Sequence, residues 1–351
     1  VNVKERFRLT VYKLVSRSRD WSKLTTVWST VWELDEEAKQ DVSESDETTF
    51  ISWTFSLEGP VGASVGLIVG ARATVGSFKN FGFSFSINKN KLVIRAHSSD
   101  TYKLLKPQYL KNSLFKSAEK IYAISDLIKD HLTKDWQVES SKVAVSRLGT
   151  GIKPYQGKDF NVTELNIISC SYINKLKRVD NIAKAIIALQ KELKSIDISW
   201  THIGGGEDFQ KIKELVKDSA IKTNLTGNIA SSKVKEMLHN ENFHIFINNS
   251  TSEGIPVSVM EAFGAGIPAI CTNVGATNEL VKNDLNGYLI DPKGSTNELT
   301  KKLIYFYNLK AIKKKDLSFA AYSTVKKIYN LENYKSFAED IAKLNWKTME
   351  K

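Results

Sequence analysis

Short apolar segments alternate with helical segments through the second half of the chain, and this alternation constrains the fold more than any other feature. The apolar segments include LNIISCSY at 165–172, DISWTHIG at 197–204 and FHIFINN at 243–249, and they continue with PAICTN at 268–273 and GYLI at 287–290. Each of them is followed by a stretch with helical periodicity. Apolar strands separated by helices are typical of a parallel sheet that is covered on both faces. The sequence therefore predicts an α/β fold.

The first half of the chain repeats this pattern less regularly. Strands are predicted for FISWTFSL at 50–57, KLVIRAH at 91–97 and KIYAIS at 120–125. The small residues of 61–76 predict a helix, and the apolar residues of the basic segment 1–34 have the spacing of an amphipathic helix. The same sheet-and-helix architecture is thus expected on this side.

The apolar pattern lapses in residues 153–162, which predicts a linker between two domains. A chain of 351 residues is long enough for two domains that each bury a core. We expect an N-terminal Rossmann-like domain over 1–155 and a C-terminal Rossmann-like domain over 156–325. Residues 326–351 should form a helix that packs toward the N-terminal domain. Two doubly wound domains predict a ligand cleft between them, at the carboxyl ends of the strands.

Charge and cysteine content narrow the classes of function. The 50 Lys and Arg residues exceed the 39 Asp and Glu residues, for a net charge of +11, which suits an anionic partner such as a phosphorylated metabolite or a membrane surface. This excess is spread along the chain, so no nucleic-acid arm is expected. Cys170 and Cys271 lie in apolar runs, as core residues of a protein in a reducing compartment do. The longest apolar stretch, 61–75, is too short and too interrupted to predict a transmembrane helix.

The segment NNSTSEGIPVSVME, residues 248–261, carries the strongest chemical signal. It follows a predicted strand and leads into a predicted helix with a proline where the first helical turn accepts one. Backbone N–H groups at such a helix start favour an anion such as a diphosphate. The residues expected around this anion are Gly254, Ile255, Pro256 and Val257; Pro256 has no N–H, so the other three supply the donors.

Two glutamates flank this helix start. Glu253 precedes the turn and Glu261 lies inside the helix, so the two carboxylates should be about 10 Å apart. That separation brackets a diphosphate, with a sugar hydroxyl at one carboxylate and a ribose at the other. It fits poorly to the roughly 5 Å pair of a retaining glycoside hydrolase. From the residues alone, a helix-capping Glu253 and a solvated Glu261 remain an open alternative.

The longer segment SEGIPVSVMEAFGAGIPAICTNVGATNELVKNDLNGYLI, residues 252–290, resembles the donor-site region of retaining glycosyltransferases of the group 1 (family 4) type. It is most similar to bacterial members that assemble capsular and exopolysaccharides, and a weaker resemblance extends over roughly 50–345. The resemblance implies the GT-B fold, in which two Rossmann-like domains flank a cleft. It also implies that Glu253 orients the hydroxyls of the transferred sugar and that Glu261 binds the ribose.

The resemblance further implies a pair of cations at the donor diphosphate. CSYINKLKRVDNIAKAI, residues 170–186, resembles the strand and helix that carry an Arg and a Lys in this family. Lys177 matches the Lys, whereas Tyr172 stands where the Arg is expected. Lys175 and Arg178 are the nearby substitutes. Without the resemblance, a basic residue in such a loop is most simply solvated surface.

Two further loops follow predicted strands. THIGGGEDFQKI, residues 201–212, contains three consecutive glycines, which predict either a tight turn or a phosphate cradle. It lacks the third glycine of the GxGxxG pattern, which disfavours a nicotinamide enzyme. The resemblance implies that the loop of Gly205 flanks the nucleotide and that Asn228, in LTGNIASSKV, lines the base. Ordinary strand-to-helix turns are the alternative for both.

The first domain contributes further candidates. His97 ends a predicted buried strand at the position where the resembling family has a histidine facing the transferred sugar; a purely structural histidine is the alternative. Arg95, Asp100 and Arg147 are candidates for contact with the acceptor or the donor. The family also opens with a strand and a Gly-rich loop near the donor phosphates. Nothing of that kind precedes Trp53, so either the first domain is abbreviated or the sequence given lacks its start.

Together these observations predict a retaining glycosyltransferase with His97, Glu253 and Lys177 as catalytic residues. It would move a sugar from a nucleotide diphosphate donor to a saccharide or lipid-linked acceptor. It would use no cofactor and no metal, since the sequence offers no DxD triplet in a strand context. We expect a cytoplasmic protein with no nucleic-acid partner; residues 1–34 either lie peripherally against an anionic membrane or pack their tryptophans on the first domain. A non-catalytic nucleotide- or glycan-binding module and a nucleotide-sugar epimerase are the alternatives.

Overall fold

The computed structural model describes residues 8–13, 25–28, 49–54, 67–69, 92–97, 115–116, 118–160 and 163–343. Contacts divide the chain into two compact units, one of Val1–Ser146 with Ala342–Lys351 and the other of Arg147–Ile341.

The division at Ser146 precedes the boundary expected at 155. The segment after Ser146 belongs to the second unit because it packs there: Thr150 forms a β-bridge with Asn330, and the backbone of Gly149 lies against that of Asn330. The packing of residues 326–351 toward the first domain stays a prediction.

The first unit contains a three-stranded antiparallel sheet in the order β2-β1-β3. Its strands are β1 (Arg8–Lys13), β2 (Thr25–Trp28) and β3 (Thr49–Thr54). The amphipathic helix expected over 1–34 is therefore wrong where the structure describes that segment. RLTVYK and TTVW are rich in β-branched and aromatic residues, and their strand preference outweighs the helical spacing of the apolar positions.

A second sheet of this unit has the order β4-β5-β6-β7. Its strands are β4 (Leu67–Val69), β5 (Leu92–Ala96), β6 (Lys120–Ala123) and β7 (Val143–Val145). Strands β5, β6 and β7 are parallel, whereas β4 is antiparallel to β5. The helix predicted over 61–76 is wrong at β4, whose Leu-Ile-Val sequence is a good strand former. Strands were correctly predicted at 91–97 and 120–125.

One short helix follows β6. Helix α1 (Asp126–Asp130) begins after Ser125, whose Oγ accepts a hydrogen bond from the N–H of Ile128 at 3.2 Å. This serine cap satisfies a backbone donor of the first turn. A π-helical turn at His131–Asp135 and a 3₁₀ turn at Ser140–Lys142 complete the connection to β7.

The second unit is built on one six-stranded sheet in which every neighbouring pair is parallel. Its order is β10-β9-β8-β11-β12-β13. The strands are β8 (Glu164–Cys170), β9 (Asp197–Ile203), β10 (Lys222–Leu225), β11 (Ile245–Asn248), β12 (Ala269–Thr272) and β13 (Gly287–Ile290). The parallel sheet predicted from the alternating apolar segments is confirmed here.

Helices connect these strands and pack on the sheet. They are α2 (Val179–Glu192), α3 (Phe209–Val216), α4 (Ser231–Asn240), α5 (Val257–Gly264), α6 (Thr277–Leu280), α7 (Thr296–Asn308), α8 (Ala311–Ile328) and α9 (Glu332–Lys343). Helices α7, α8 and α9 follow the last strand. In the part of the chain that the structure describes, no helix is both long and apolar enough to cross a bilayer.

The core of the second unit lies between its sheet and the surrounding helices. Trp200, Ile167 and Ile247 from three neighbouring strands are at most 1% exposed, and they belong to one cluster with the apolar faces of α2 and α7. Cys271 is buried and Cys170 half-buried, both as free thiols. Burial raises the pKa of Cys170 to about 11, which fits the prediction of unreactive core cysteines.

The strand order identifies the edge where a ligand is expected. From β8 the chain runs outward through β9 and β10, and then returns to pair β11 on the other side of β8. Neighbouring strands whose connections run in opposite directions leave a crevice at their carboxyl ends. In this unit that crevice lies between the loops that follow β8 and β11.

Candidate active site

The loop after β8 is shaped by an asparagine. Asn174 Oδ1 accepts hydrogen bonds from the backbone N–H groups of Leu176 and Lys177, each at 3.1 Å. This Asx turn is a local preference of asparagine. It holds Lys177 two residues before the start of α2, at the carboxyl edge of the sheet.

The loop after β11 meets Lys177. Lys177 Nζ lies 2.6 Å from Glu253 Oε1, and Asn248 Nδ2 donates to the same oxygen at 3.1 Å. The Glu253 side chain is only 11% exposed, so little solvent screens this pair. The structure thus brings together two of the three predicted catalytic residues. Asn248 was not singled out from the sequence, although it ends a predicted strand.

Helix α5 begins as the sequence predicted. The carbonyl of Pro256 accepts from the N–H groups of Val259 and Met260 at 3.1 and 3.2 Å. Ile255 and Pro256 are buried, whereas Val257 is 44% exposed. The structure describes the start of this helix, and contact of residues 254–257 with a diphosphate stays a prediction.

A glycine on the loop after β12 allows the backbone of Glu253 to approach that loop closely. Gly275 has φ +54°, and a Cβ on it would overlap with the carbonyl oxygen of Glu253. Next to it, the N–H of Ala276 donates to Gly254 O at 2.9 Å. Gly275 was not predicted as a site residue; its only local signal is a glycine between a predicted strand and a predicted helix.

Glu261 lies on α5 in a second polar contact. Its side chain is 17% exposed, and Lys235 Nζ of α4 lies 3.8 Å from its Oε1. Burial raises the pKa of the Glu261 carboxyl, while Lys235 acts in the opposite direction. Lys235 was also missed, because a lysine on the face of a helix has no distinguishing local pattern.

Arg178 follows Lys177 in the chain, but its guanidinium donates hydrogen bonds to backbone carbonyls and not to Glu253. Its Nε donates to Asn249 O at 2.7 Å, and one Nη donates to Ser250 O and Pro292 O, each at 2.9 Å. The other Nη donates to Lys293 O. Burial lowers the pKa of Arg178, and the nearby Asp180 raises it.

The other residues named for the cation pair lie at the surface. Tyr172 is 49% exposed, and Lys175 is exposed on the same loop. Tyr172 follows β8, as the resemblance requires of the residue at the Arg position. The arrangement therefore presents Lys177 as the cation that contacts the predicted catalytic carboxylate.

The three glycines after β9 are explained by a close approach of two loops. Gly204 and Gly206 have φ +133° and +153°, and a Cβ on either would overlap with the backbone of the loop after β8. The N–H of Gly205 donates to Asn228 Oδ1 at 2.8 Å. Gly205 and Asn228 are thus brought together, while their contact with a nucleotide stays a prediction.

A buried chain of hydrogen bonds supports the loop after β8 from below. Trp200 Nε1 donates to Ser169 Oγ at 2.9 Å, and Ser169 Oγ lies 2.8 Å from His202 Nδ1. His202 Nε2 lies 3.2 Å from Ser171 O, so it carries the proton and donates to that carbonyl. Burial lowers the pKa of His202 to about 4, against the opposing effect of the bond to Ser171.

The remaining candidates lie at or before the start of the second unit. His97 is half-buried directly after β5, and burial, followed by the charge of Arg95, lowers its pKa. One Nη of Arg95 donates to Ser146 O at 3.5 Å. Arg147 lies 3.6 Å from Glu279 of α6. Asp100 lies outside the described residues. The sugar and acceptor contacts of these residues stay predictions.

The arrangement suits a ligand that carries both negative charge and hydroxyl groups. Lys177 and the start of α5 face an anion favourably, while the carboxylates of Glu253 and Glu261 accept hydrogen bonds from hydroxyls. Among the residues described, no group of three or more His, Cys, Asp and Glu side chains is placed to hold a metal ion.

Comparison with known proteins finds similar sequences for the second unit. Residues 156–324 match the family described as "Glycosyl transferases group 1". The GtfA subunit of UDP-N-acetylglucosamine–peptide N-acetylglucosaminyltransferase from Streptococcus agalactiae is 25% identical over 186 residues, which are 49% of this chain and 35% of that protein. The putative colanic acid biosynthesis glycosyltransferase WcaL of Escherichia coli is 27% identical over 213 residues, which are 58% of this chain and 50% of that protein. The chain thus spans half or less of the length of these relatives.

A solved structure shares the fold. Anabaena HepE in complex with UDP and glucose aligns with a TM-score of 0.60 at 15% identity, over 72% of this chain and 72% of that one. At that identity the similarity speaks for the fold alone. It confirms the predicted fold class, an α/β fold of the GT-B type.

Proposed function

Because residues 156–324 form a group 1 glycosyltransferase domain, we propose that the chain transfers a sugar from a uridine diphosphate sugar to an acceptor hydroxyl, in the assembly of a polysaccharide or glycoconjugate. The observation that carries this proposal is the pair of Lys177 and Glu253, 2.6 Å apart at the carboxyl edge of β8 and β11. The choice of uridine rests on the relatives: GtfA is named for UDP-N-acetylglucosamine, and HepE was solved with UDP.

In the proposed reaction the acceptor oxygen bonds to the anomeric carbon while the bond from that carbon to the diphosphate breaks. The acceptor proton passes to the leaving diphosphate, on the same face of the sugar, so the anomeric configuration is retained. Negative charge grows on the diphosphate in the transition state. Lys177 and the N–H groups at the start of α5 are fixed before the reaction, so they stabilise this charge without reorganising.

The two glutamates divide the donor between them in this proposal. Glu253, held by Lys177 and Asn248, accepts hydrogen bonds from the hydroxyls of the transferred sugar. Glu261 accepts from the ribose. A contact of His97 with the transferred sugar is proposed from the family resemblance alone.

The acceptor, a membrane contact and the location of the protein are also proposals. We propose a saccharide or lipid-linked acceptor for the transferred sugar. Contact of residues 1–34 with an anionic membrane no longer rests on an amphipathic helix, since the described parts of this segment form strands. A location at the inner face of a membrane depends on the same contact.

We propose that transfer needs no metal, because Lys177 and the helix start neutralise the leaving group. EDTA should leave the transfer rate within twofold of the untreated rate. Loss of activity on chelation, with recovery on adding magnesium or manganese, would contradict this part of the mechanism.

The function is tested by ligand screening followed by transfer assays. Thermal-shift measurements with UDP, GDP and ADP should show a raised midpoint with UDP, because a ligand that binds the folded state stabilises it. UDP-sugars are then tried with and without saccharide acceptors. Donor turnover that requires an acceptor identifies a transferase, whereas turnover without any acceptor identifies an epimerase or a hydrolase.

Glu253→Gln is the variant that connects this activity to the site. It should lower turnover at least tenfold, about 1.4 kcal/mol of transition-state stabilisation, with the fold retained. Glu192→Gln, an exposed position on α2, is the matched control and should behave as wild type. Wild-type turnover in Glu253→Gln would remove Glu253 from the site, and UDP binding without any transfer would indicate a binding module.

A further inference from the structure

Three consecutive residues before α2 contact the loop that carries Glu253. The carbonyl of Leu176 accepts from the N–H of Thr251 at 2.8 Å, and Lys177 Nζ contacts Glu253 Oε1 at 2.6 Å. Arg178 Nε donates to Asn249 O at 2.7 Å. The loop after β11 is therefore attached at its start, its middle and its end.

The guanidinium of Arg178 makes the most extensive of these attachments. Its donors reach four backbone carbonyls, two in the loop after β11 and two in the loop after β13 (Asn249, Ser250, Pro292 and Lys293). An arginine has five N–H donors and no acceptor, so these carbonyls occupy most of its hydrogen-bonding capacity. A diphosphate would have to displace bonds that already link two loops.

The loop after β13 is shaped to receive this guanidinium. Asp291 Oδ1 accepts from the N–H of Lys293 at 2.7 Å, and Asp291 O accepts from that of Gly294 at 2.8 Å. This tight turn exposes the carbonyls of Pro292 and Lys293. A Cβ on Gly294, whose φ is +56°, would lie 2.7 Å from Nη2 of Arg178 and overlap with Asn249 Oδ1. The space beside Gly294 is therefore filled by Arg178 and its partner loop.

The backbone of Arg178 gives independent support. Its φ of +46° lies in the left-handed region, which is unfavourable for a residue with a Cβ. Such a conformation persists where surrounding contacts hold it. It also separates the directions of two adjacent side chains, so that Lys177 reaches Glu253 while Arg178 reaches the carbonyls.

We propose that Arg178 is a positioning residue for Glu253 and not a ligand of the donor diphosphate. It links the loop after β11 to the loop after β13, and this link keeps Glu253 in place for the transferred sugar. The effect on transfer rests on the proposed function. The effect on the loop does not.

Kinetics of whole-chain variants separate the two roles. Arg178→Lys keeps the charge, but one ammonium cannot span four carbonyls on two loops, so turnover should fall at least tenfold while the Kd for UDP changes less than threefold. Arg178→Met should behave in the same way. Lys191→Met, at an exposed position on α2, is the control. A Kd for UDP that weakens tenfold in Arg178→Met and recovers in Arg178→Lys would identify a diphosphate ligand and overturn the proposal.

Hydrogen exchange tests the loop without relying on activity. Amides of residues 250–254 should exchange at least tenfold faster in Arg178→Lys, and peptides covering 222–240 should be unchanged. Gly294→Ala, which displaces Arg178 from the opposite side, should reproduce this result even if Arg178→Met fails to fold. Unchanged exchange at 250–254 in both Arg178→Lys and Gly294→Ala would overturn the proposal. A wild-type chain without transfer or UDP binding would contradict the proposed function, while the exchange result would still decide the role of Arg178.

Discussion

The two units differ in the sheet edges at which the carboxyl ends of their strands lie. In the second unit all neighbouring strands are parallel, so six loops leave the sheet at one edge. These loops bond to each other: Ile173 N donates to Gly205 O, Gly204 N to Gly227 O, and Ala276 N to Gly254 O. In the first unit, β4 is antiparallel to β5 and the sheet of β1, β2 and β3 is antiparallel throughout. Among the strands that the structure describes there, β5, β6 and β7 are parallel and end at a shared edge, whereas the carboxyl ends of the antiparallel neighbours fall on opposite edges.

This difference shows how the position of a loop residue can be fixed precisely. Each loop of the second unit has a neighbouring loop within hydrogen-bonding distance, so the position of one depends on the next. The Glu253 side chain contacts Lys177 in the loop after β8, and the Glu253 backbone lies against Gly275 in the loop after β12. A rigid scaffold that positions mobile connections is the usual basis of a functional site. Here the scaffold includes the loops themselves.

The strongest test of this mutual support is Gly275→Ala. The new Cβ would overlap with the carbonyl of Glu253 in a left-handed conformation, which should cost about 3 kcal/mol of unfolding free energy and abolish most of the transfer. Gly157→Ala is the control: φ is +76°, but the nearest contacts are at 3.9 Å, to the ring of Tyr155. It should cost only about 1 kcal/mol. Urea denaturation measures both, and equal losses would contradict the role of the loop contact.

Lys177→Ala removes the cation from this edge. UDP affinity should fall by about 1.5 to 3 kcal/mol, the range for a lost hydrogen bond to a charged group. Lys191→Ala, on the exposed face of α2, should leave it unchanged. Titration calorimetry with UDP decides between them, and an unaltered Kd in Lys177→Ala would mean that the diphosphate binds elsewhere.

Acid should weaken the second unit through His202. Its pKa in the folded state is about 4, below the usual 6.5, so the unfolded chain takes up the proton first as the pH falls. The stability that neutral His202 preserves is present above pH 6.5 and is lost between pH 6.5 and 4, by about 2 kcal/mol at pH 5. His202→Gln should lose that much less than wild type between pH 7 and pH 5. Identical pH dependence in denaturant titrations would contradict this.

His97→Ala tests the contribution of the first unit and should have the smallest effect. Turnover should fall about tenfold, or 1.4 kcal/mol, while the Kd for UDP stays constant, because the proposed contact is to the sugar. His131→Gln, in the same unit, is the control. A weakened UDP affinity in His97→Ala would mean that His97 contacts the nucleotide, and nucleotide binding would then not belong to the second unit alone.

The fold of the second unit was predictable from its sequence. Strands buried on both faces must be apolar throughout. Segments such as FHIFINN therefore indicate a buried strand from their own residues, without information about the strands that pair with them. The first 34 residues misled, because Phe7, Val11, Leu14 and Val15 have helical spacing while RLTVYK pairs as a strand. Strand pairing is decided by partners that a local pattern does not contain.

The candidate site was predictable only in part, for the same reason. Lys177 and Glu253 follow neighbouring strands, so their meeting follows from the topology. Gly275 and Lys235 act through contacts with other loops and helices, which leave no local signature. The direction of Arg178 depends on its left-handed backbone, which no sequence rule predicts for an arginine.

The strand order also sets the sequence of events in folding. Strand β8 pairs with β9 one helix later, but Lys177 and Glu253 are 76 residues apart and Arg178 and Pro292 are 114 apart. Contacts between distant segments carry a larger loop-closure entropy and form late. During synthesis, the candidate site should therefore be incomplete until the turn after β13 has left the ribosome. Pulse-labelled hydrogen exchange during refolding would show this as protection of β8 and β9 before protection of residues 250–254.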